Sequence, residues 1–428
     1  MTPIVARPAD DGPRLVFADY LDESSDPADQ ARAELIRLQC ALARVPSDHP
    51  RRVELLDRVG ELLMVHRATW SETIAGLVHG VEFRRGMLES VSLDARAFID
   101  RGGELLRKAP IRRVRLTDAA RQIQRLADCS FLNQIRELDL SGNDLGNGGL
   151  NLLLQSPYLT RVESLDLSFN SLADVGMAYL ASATGLPRLR SLSLTDNSAI
   201  GAEGIRALAE SSRLAGLRAL DVSGLTVDEA GVREVTNSRY LSRLHTFNIR
   251  SCGIADHGLA ELSRSALLGR MIARSGLLDL RENLIGDEGI EALANSPYLT
   301  RLTSLDLSKN LIADRGLWLF ANSTNLPRLR RLAIRSNYLK DDGAAALAAS
   351  PLMKRLRTID ISANQLTRKG VNVLWAFRRD FQTVLDTRGN LTSHEPERDG
   401  SPTTDELQKD VGQALRRLQR TVPVEGRS

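Results

Sequence analysis

The chain is poor in the residues that usually announce chemistry. It has three cysteines (Cys40, Cys129 and Cys252), odd in number and widely spaced, which argues against a disulfide framework. The six histidines (His49, His66, His79, His245, His257 and His394) form no HExxH motif and no convincing metal pair. Phosphate loops of the Walker type and GxSxG nucleophile turns are also missing. No catalytic residue, metal or cofactor is therefore expected, and the chain reads as non-enzymatic. Lys+Arg 57 against Asp+Glu 54 leaves a net charge of +3, too small to point to nucleic acid or a membrane surface. Only six of those basic residues are lysine, so the arginine richness could reflect genome composition and is no clue by itself. An apolar run of about 18 residues, the length of a membrane span, does not occur. The opening MTPIVARPADDG lacks the apolar core of a secretory signal. These absences lead to the expectation of a soluble, cytoplasmic protein in a reducing compartment.

What is present is a repeat. With 428 residues and 42% apolar content, the chain suits either two domains or one array. LDLSGNDL at Leu138 returns as LDLSFNSL at Leu165, LSLTDNSAI at Leu192, LDVSGLTV at Leu220 and FNIRSCGI at Phe247. LDLRENLI at Leu278, LDLSKNLI at Leu305, LAIRSNYL at Leu332 and IDISANQL at Ile359 complete nine units. The spacing is 27 residues except for one step of 28 and one of 31. Alternation in each unit predicts a short strand, with Leu138 and Leu140 inward and Asp139 and Ser141 outward.

Five residues beyond the first apolar position stands Asn143, Asn170, Asn197, Asn283, Asn310, Asn337 or Asn364. An amide there can satisfy the backbone as the chain turns, and stacked copies would form a ladder. Leu225 and Cys252 take this place in two units, so the ladder must be interrupted or water-filled at Leu225. A glycine recurs later in every unit, from Gly149 to Gly370, allowing an unusual backbone angle or close packing. Asp174, Asp256, Asp287, Asp314 and Asp341 stand two residues before it, where a helix N-cap is expected. Four extra residues near Leu262–Met271 make about one helical turn, so that helix is expected to lengthen. The copy of SPYLTRVESLDLSFNSLADVG as SPYLTRLTSLDLSKNLIADRG, five units on, points to block duplication.

These units resemble the leucine-rich repeat in its ribonuclease-inhibitor-like subtype. The resemblance spans about 114–390. It implies an α/β solenoid, with parallel strands on a concave face and helices on the convex one. It also implies a protein-binding role, with regulation of a small GTPase as an alternative. The segments DDGPRLVFADYLDE, ARAELIRLQ and EFRRGMLESVSLD look like a small helical companion domain that precedes repeats in some bacterial proteins. Read from the residues alone, 1–80 forms a helical cap for the array. Its helices carry Leu15, Val16, Ala18, Tyr20 and Leu21, then Leu35, Leu38 and Leu42, then Val53, Leu56, Val59 and Leu63. Residues 81–113 are expected to form a hairpin and linker, 114–390 the solenoid, and 391–428 a disordered linker with a short helix. Thr403 and Glu406 offer that helix a capping box. Leu407, Val411, Ala414 and Leu418 form its stripe, either solvated, docked on the last repeat or paired with another helix.

The candidate site is the outward strand face. One column holds Asp139, Asp166, Asp221, Asp279, Asp306 and Asp360; the next is basic at Arg250, Arg281 and Arg335. Asp166, Phe169, Asp221, Arg250, Asp279, Arg281, Asp306 and Arg335 are the expected contacts for a protein partner. A mixed-charge strip can steer such a partner. Pairing between the two columns, serving only solubility, is the competing reading. A second basic run (Arg84, Arg85, Arg107, Lys108, Arg112, Arg113 and Arg115) lacks aromatic neighbours for base stacking, so nucleic acid is not expected. An enzymatic site would require polar residues converging where the cap meets the first repeats. Partner identity and oligomeric state are not encoded in any motif.

Overall fold

The computed structural model describes residues 10–45, 51–378, 383–391 and 404–421. They form two compact units. The first runs to Asn170 and includes 183–189; the second holds 171–182 and continues from Arg190.

The first unit opens with helices α1 (Gly12–Asp22), α2 (Pro27–Leu42) and α3 (Arg51–Ser71). Asp26 caps α2 by accepting the Ala28 N–H at 2.8 Å, and Pro27 begins the helix without wasting an N–H. Ala18 and Leu21 of α1 form a shared core with Ala33, Ile36 and Cys40 of α2. The expected stripes need correction. Val53 is 63% exposed and Leu56 is 48%, and α3 buries Leu55 and Leu62 beside the expected Val59. On α1, Val16 and Tyr20 also face solvent, while Arg14 is buried and donates to Glu89 at 2.5 Å. Burial pushes the Glu89 carboxyl up despite the surrounding guanidinium groups.

Strands β1 (Gly80–Arg84) and β2 (Met87–Asp94) form an antiparallel hairpin. Its turn, Arg85–Gly86, is left-handed at both residues, and a Cβ on Gly86 would lie 2.0 Å from Ile36 Cγ1. Helix α4 (Ala95–Lys108) then leads to β3 (Arg113–Thr117), which lies parallel to β2. β4 (Glu137–Asp139) and β5 (Ser164–Asp166) continue the parallel order, with helices α5 (Ile123–Ala127) and α6 (Gly146–Leu154) in the intervening and following segments.

The second unit repeats strand, turn and helix. After α7 (Asp174–Ser182) come β6 (Ser191–Ser193), α8 (Ala202–Ala209), β7 (Ala219–Asp221), α9 (Asp228–Asn237) and β8 (Thr246–Asn248). Then follow α10 (Asp256–Arg264), α11 (Ala266–Ser275), β9 (Leu277–Asp279), α12 (Asp287–Ala294) and β10 (Ser304–Asp306). α13 (Asp314–Ala321), β11 (Arg331–Ala333), α14 (Asp341–Ala349), β12 (Thr358–Asp360), α15 (Arg368–Arg378) and β13 (Val384–Asp386) complete the series. β6–β8 are mutually parallel, as are β9–β13. In each three-residue strand the central residue, an aliphatic such as Leu305 at 1% or, in β8, Phe247 at 3%, is buried.

The asparagine ladder is built as expected. Asn310 donates to the Leu280 and Leu307 carbonyls, both at 3.0 Å, and accepts the Ile285 N–H at 3.1 Å. Each amide thus ties its own turn to the preceding one. Asn390, at the same offset from Leu385, adds a further rung by accepting N–H groups of Asn364 and Leu366. At Leu225 the side-chain ladder is interrupted, and its N–H turns to the Val222 carbonyl at 3.1 Å. The Cys252 thiol donates to that same carbonyl at 3.1 Å.

The repeated aspartates do not cap their own helices. They occupy the first helical turn and accept N–H groups from the start of the corresponding helix in the next repeat. Asp174 serves Gly201 and Gly204, Asp256 serves Gly286 and Gly289, and Asp341 serves Thr367 and Gly370. Asp287 and Asp314 likewise accept from Ala313 and Lys340. This contact explains the glycine in five units, Gly204, Gly289, Gly316, Gly343 and Gly370: a Cβ on Gly343 would stand 2.4 Å from Asp314 Oδ1. Close packing sets that residue, since its φ is not left-handed.

The four-residue insertion does not lengthen one helix. Ser265 breaks it, and its hydroxyl accepts the Leu267 N–H at 3.1 Å to start α11. Gly276, at φ 68°, ends α11. Local capping therefore competes successfully with continuation.

Helix α16 (Thr404–Thr421) docks on α14 and touches α13, which settles the alternatives left open for its stripe. Val411, Ala414 and Leu418 are buried. Arg417 pairs with Asp342, and Lys369 with Asp410 at 2.8 Å. Alanines on α14 provide a flat surface: Ala344, Ala345, Ala346 and Ala348 are all buried. The expected linker and capping box at Thr403 and Glu406 lie outside the residues whose side chains are described, as does the side chain of Leu407.

Candidate functional site

On the strand face, the acidic column is first a structural device. Asp166 Oδ1 accepts the Ser168 N–H at 3.0 Å and its hydroxyl at 2.6 Å. Asp139 with Ser141, Asp221 with Ser223 and Asp360 with Ser362 repeat this arrangement. The short carboxylate folds back on the residue two ahead, a local turn that competes well with solvent. Asp139, expected to face solvent, is only 6% exposed because Arg113 covers it at 3.3 Å.

The basic column divides into paired and unpaired members. Arg281 donates to Asp279 and lies 3.3 Å from Asp306. Burial works to raise the Asp279 carboxyl, but the Arg281 contacts prevail and hold it below the ordinary value. Arg250 reaches Glu282 at 2.9 Å, and Lys309 reaches the same carboxylate at 2.8 Å. Those bonds lower Glu282, Lys309 contributing first. Arg335 makes no ion pair among the described residues and is exposed. The expected site therefore contains an internally neutralised stretch, Arg250 to Lys309, followed by an available guanidinium.

Glu282 was invisible to a reading based on two strand columns. It occupies the left-handed position before the ladder asparagine, with φ 59°. Phe169 occupies the same position in the first unit, with φ 55° and 56% exposure. A second feature lies three residues beyond the basic column. Leu284 is 52% exposed, Leu311 44% and Tyr338 52%. The Leu311 N–H donates to the Ile285 carbonyl and the Tyr338 N–H to that of Ile312, both within 3.0 Å. These three side chains consequently rise from consecutive turns, beside the column that carries Arg281 and Arg335. The signal was the apolar residue following each ladder asparagine in three successive units.

Elsewhere the chemistry is quiet. Among the described residues no group of three or more His, Cys, Asp or Glu is placed to hold a metal ion. All three cysteines are free and buried, and burial pushes the Cys252 thiol to about 12 and Cys40 to about 11. No described helix is long and apolar enough to cross a membrane.

The family model for the leucine-rich repeat matches residues 133–154, 158–181, 186–209, 277–294 and 298–321. Five segments of the chain thus match the leucine-rich repeat, within an α/β architecture of parallel strands alternating with helices that follows N-terminal helices. No curated protein sequence matches it. Similar solved structures include an internalin (inlF) of Listeria monocytogenes, 20% identical, covering 66% of this chain and 75% of that one at TM-score 0.39. The mouse RP105/MD-1 complex is 15% identical, covering 74% of this chain and half of that one at TM-score 0.40.

Proposed function

We infer that this leucine-rich-repeat chain is a non-enzymatic scaffold that binds a protein partner along the strand face and adjoining turns of its second unit. One observation carries this reading: Leu284, Leu311 and Tyr338 stand exposed in consecutive turns beside the unpaired Arg335. Aromatic and arginine side chains, ringed by apolar surface, supply much of the affinity in protein interfaces. Leucine-rich repeats commonly serve such interactions, and the rigid ladder would present these groups with little rearrangement. Arg250, Asp279, Arg281 and Asp306 would set charge complementarity at the rim. The same reading assigns the array to the ribonuclease-inhibitor-like subtype, residues 1–80 to a repeat-companion cap, and the protein to the cytoplasm.

The test compares capture from the native lysate by wild type and by a variant carrying Leu311→Ser, Arg335→Glu and Tyr338→Ala. All three side chains are exposed, so circular dichroism of the variant should match wild type. A partner held by wild type and released by the variant supports the site. Equal capture by both would move binding away from these turns.

A further inference from the structure

A separate feature lies at the beginning of the first unit's sheet. A pocket of about 250 Å³ is lined by Gly80 and Glu82 of β1, Ser90 and Ser92 of β2, Arg113 and Arg115 of β3, Asp139 and the overhanging Arg67 of α3. Strand register explains the grouping. Gly80, Ser92, Arg115 and Asp139 form one cross-strand row, and Glu82, Ser90, Arg113 and Glu137 form the next. Neighbouring strands lie about 4.8 Å apart, so these side chains crowd one small patch. Gly80 contributes no side chain to its row, which leaves the end open beneath Arg67.

The internal bonds decide what remains available. Asp139 is engaged by Arg113 and by the Ser141 N–H and hydroxyl. Glu137 takes both of its short contacts from Arg84, which also lies 3.8 Å from Glu82. Arg67 donates to the Val81 carbonyl but has no carboxylate partner among the described residues. Arg115 is exposed and has no ion pair there either, although Asp139 is its neighbour. The hydroxyls of Ser90 and Ser92 likewise make no hydrogen bond among the described residues. Ser90 is nevertheless only 7% exposed.

We propose that this pocket binds the phosphate group of a ligand. Two guanidinium groups without carboxylate partners supply charge, and two serine hydroxyls supply further donors. The donors come from strands β2 and β3 and from helix α3. That three-dimensional set suits a tetrahedral oxyanion better than a planar carboxylate, which takes its best bonds near one plane. Glu82 and the neutralised Asp139 border the site and favour a single anionic group over an extended polyanion. Of the basic run noted in the sequence, Arg107 and Arg115 make no ion pair among the described residues, and of these two only Arg115 lines the pocket.

Equilibrium dialysis of the full chain against radiolabelled inorganic phosphate, at low and constant ionic strength, tests the assignment. Wild type should bind one phosphate per chain. Arg115→Ala should weaken binding by about tenfold or more, as expected for loss of a charge-assisted hydrogen bond. Ser92→Ala should weaken it less, and Arg107→Ala on exposed α4 should leave it unchanged. Arg115 has no internal ion pair to lose, and circular dichroism of its variant checks the fold. Phosphoserine competing better than phosphate would identify an esterified ligand; equal competition would identify the free ion. Lack of saturable binding, identical binding by Arg115→Ala, or equally effective competition by acetate would each overturn the proposal.

Discussion

The turns after β9–β13 and those after β7 and β8 perform the same task with different chemistry. In the former, five asparagines, Asn283 to Asn390, each bridge two turns by giving and accepting hydrogen bonds. In the latter, Leu225 gives up the side-chain link and Cys252 keeps only a donor. The buried aliphatic layer is nevertheless continuous in kind: Val222 is 0% exposed, Ile249 1% and Leu307 2%. Burial therefore defines the repeat, while the amides settle the polar backbone left inside each turn. A thiol can replace half of an amide because the carbonyl side needs a donor, and Cys252 is well placed to provide one.

The largest difference between these regions should appear on truncating the ladder. Asn310→Ala removes one of the two amide donors on each of the Leu280 and Leu307 carbonyls and leaves the Ile285 N–H without its buried acceptor, so we expect a loss of about 1–3 kcal/mol. Cys252→Ala removes a weak sulfur donor and should cost less than about 1 kcal/mol. Urea denaturation of both variants measures the contrast. Equal shifts would mean that packing alone holds these turns and that the amides add little.

Adding one methyl group probes the helix side of the same comparison. A Cβ on Gly316 would meet Asp287 Oδ1 at 2.4 Å and its Cα at 3.1 Å, while the carboxylate is held by the Ala313 N–H. A Cβ on the corresponding Gly231 would meet Val227 Cγ1 at 2.6 Å and then Ile205, with no aspartate among its nearest atoms. Gly316→Ala should therefore destabilise by about 1–3 kcal/mol through overpacking, and Gly231→Ala by less. Removing the obstruction with Asp287→Ala should recover part of the Gly316→Ala loss. Strict additivity in that double variant would show that the aspartate is not what selects glycine.

Much of this architecture was legible because it repeats at fixed offsets. Leu138 and Leu140 gave the strand orientation, and Asn310 with its equivalents gave the turn. The same local sequence could not say whose helix Asp287 caps, since its own helix and the next were both plausible recipients. Nor could it decide between one longer helix and a break at Ser265, because four residues fit either. On the candidate site, the outward positions of Arg281 and Arg335 were readable, but their availability was not. Arg281 folds onto Asp279 two residues before it, and the neighbouring Arg250 is taken by Glu282, a turn residue 32 residues further on.

Glu282 also supplies the smallest and most specific test of the two regions, because it joins Arg250 after β8 to Lys309 after β10. Its hydrogen bonds to Lys309 and then Arg250 lower its pKa from the usual 4.5. A carboxylate stabilised in the folded state contributes above its unfolded pKa, and that contribution disappears as pH falls through the lower folded value. Glu282→Gln should thus be slightly less stable than wild type above about pH 5, with the difference shrinking on acidification below the usual carboxylate range. Exposure of both basic side chains to water keeps the effect small, and added salt should reduce it further. Paired denaturation curves across this pH range measure it. A difference that stays constant with pH would assign the loss to altered packing at the left-handed turn, leaving Arg250 and Lys309 free to meet a partner's carboxylates.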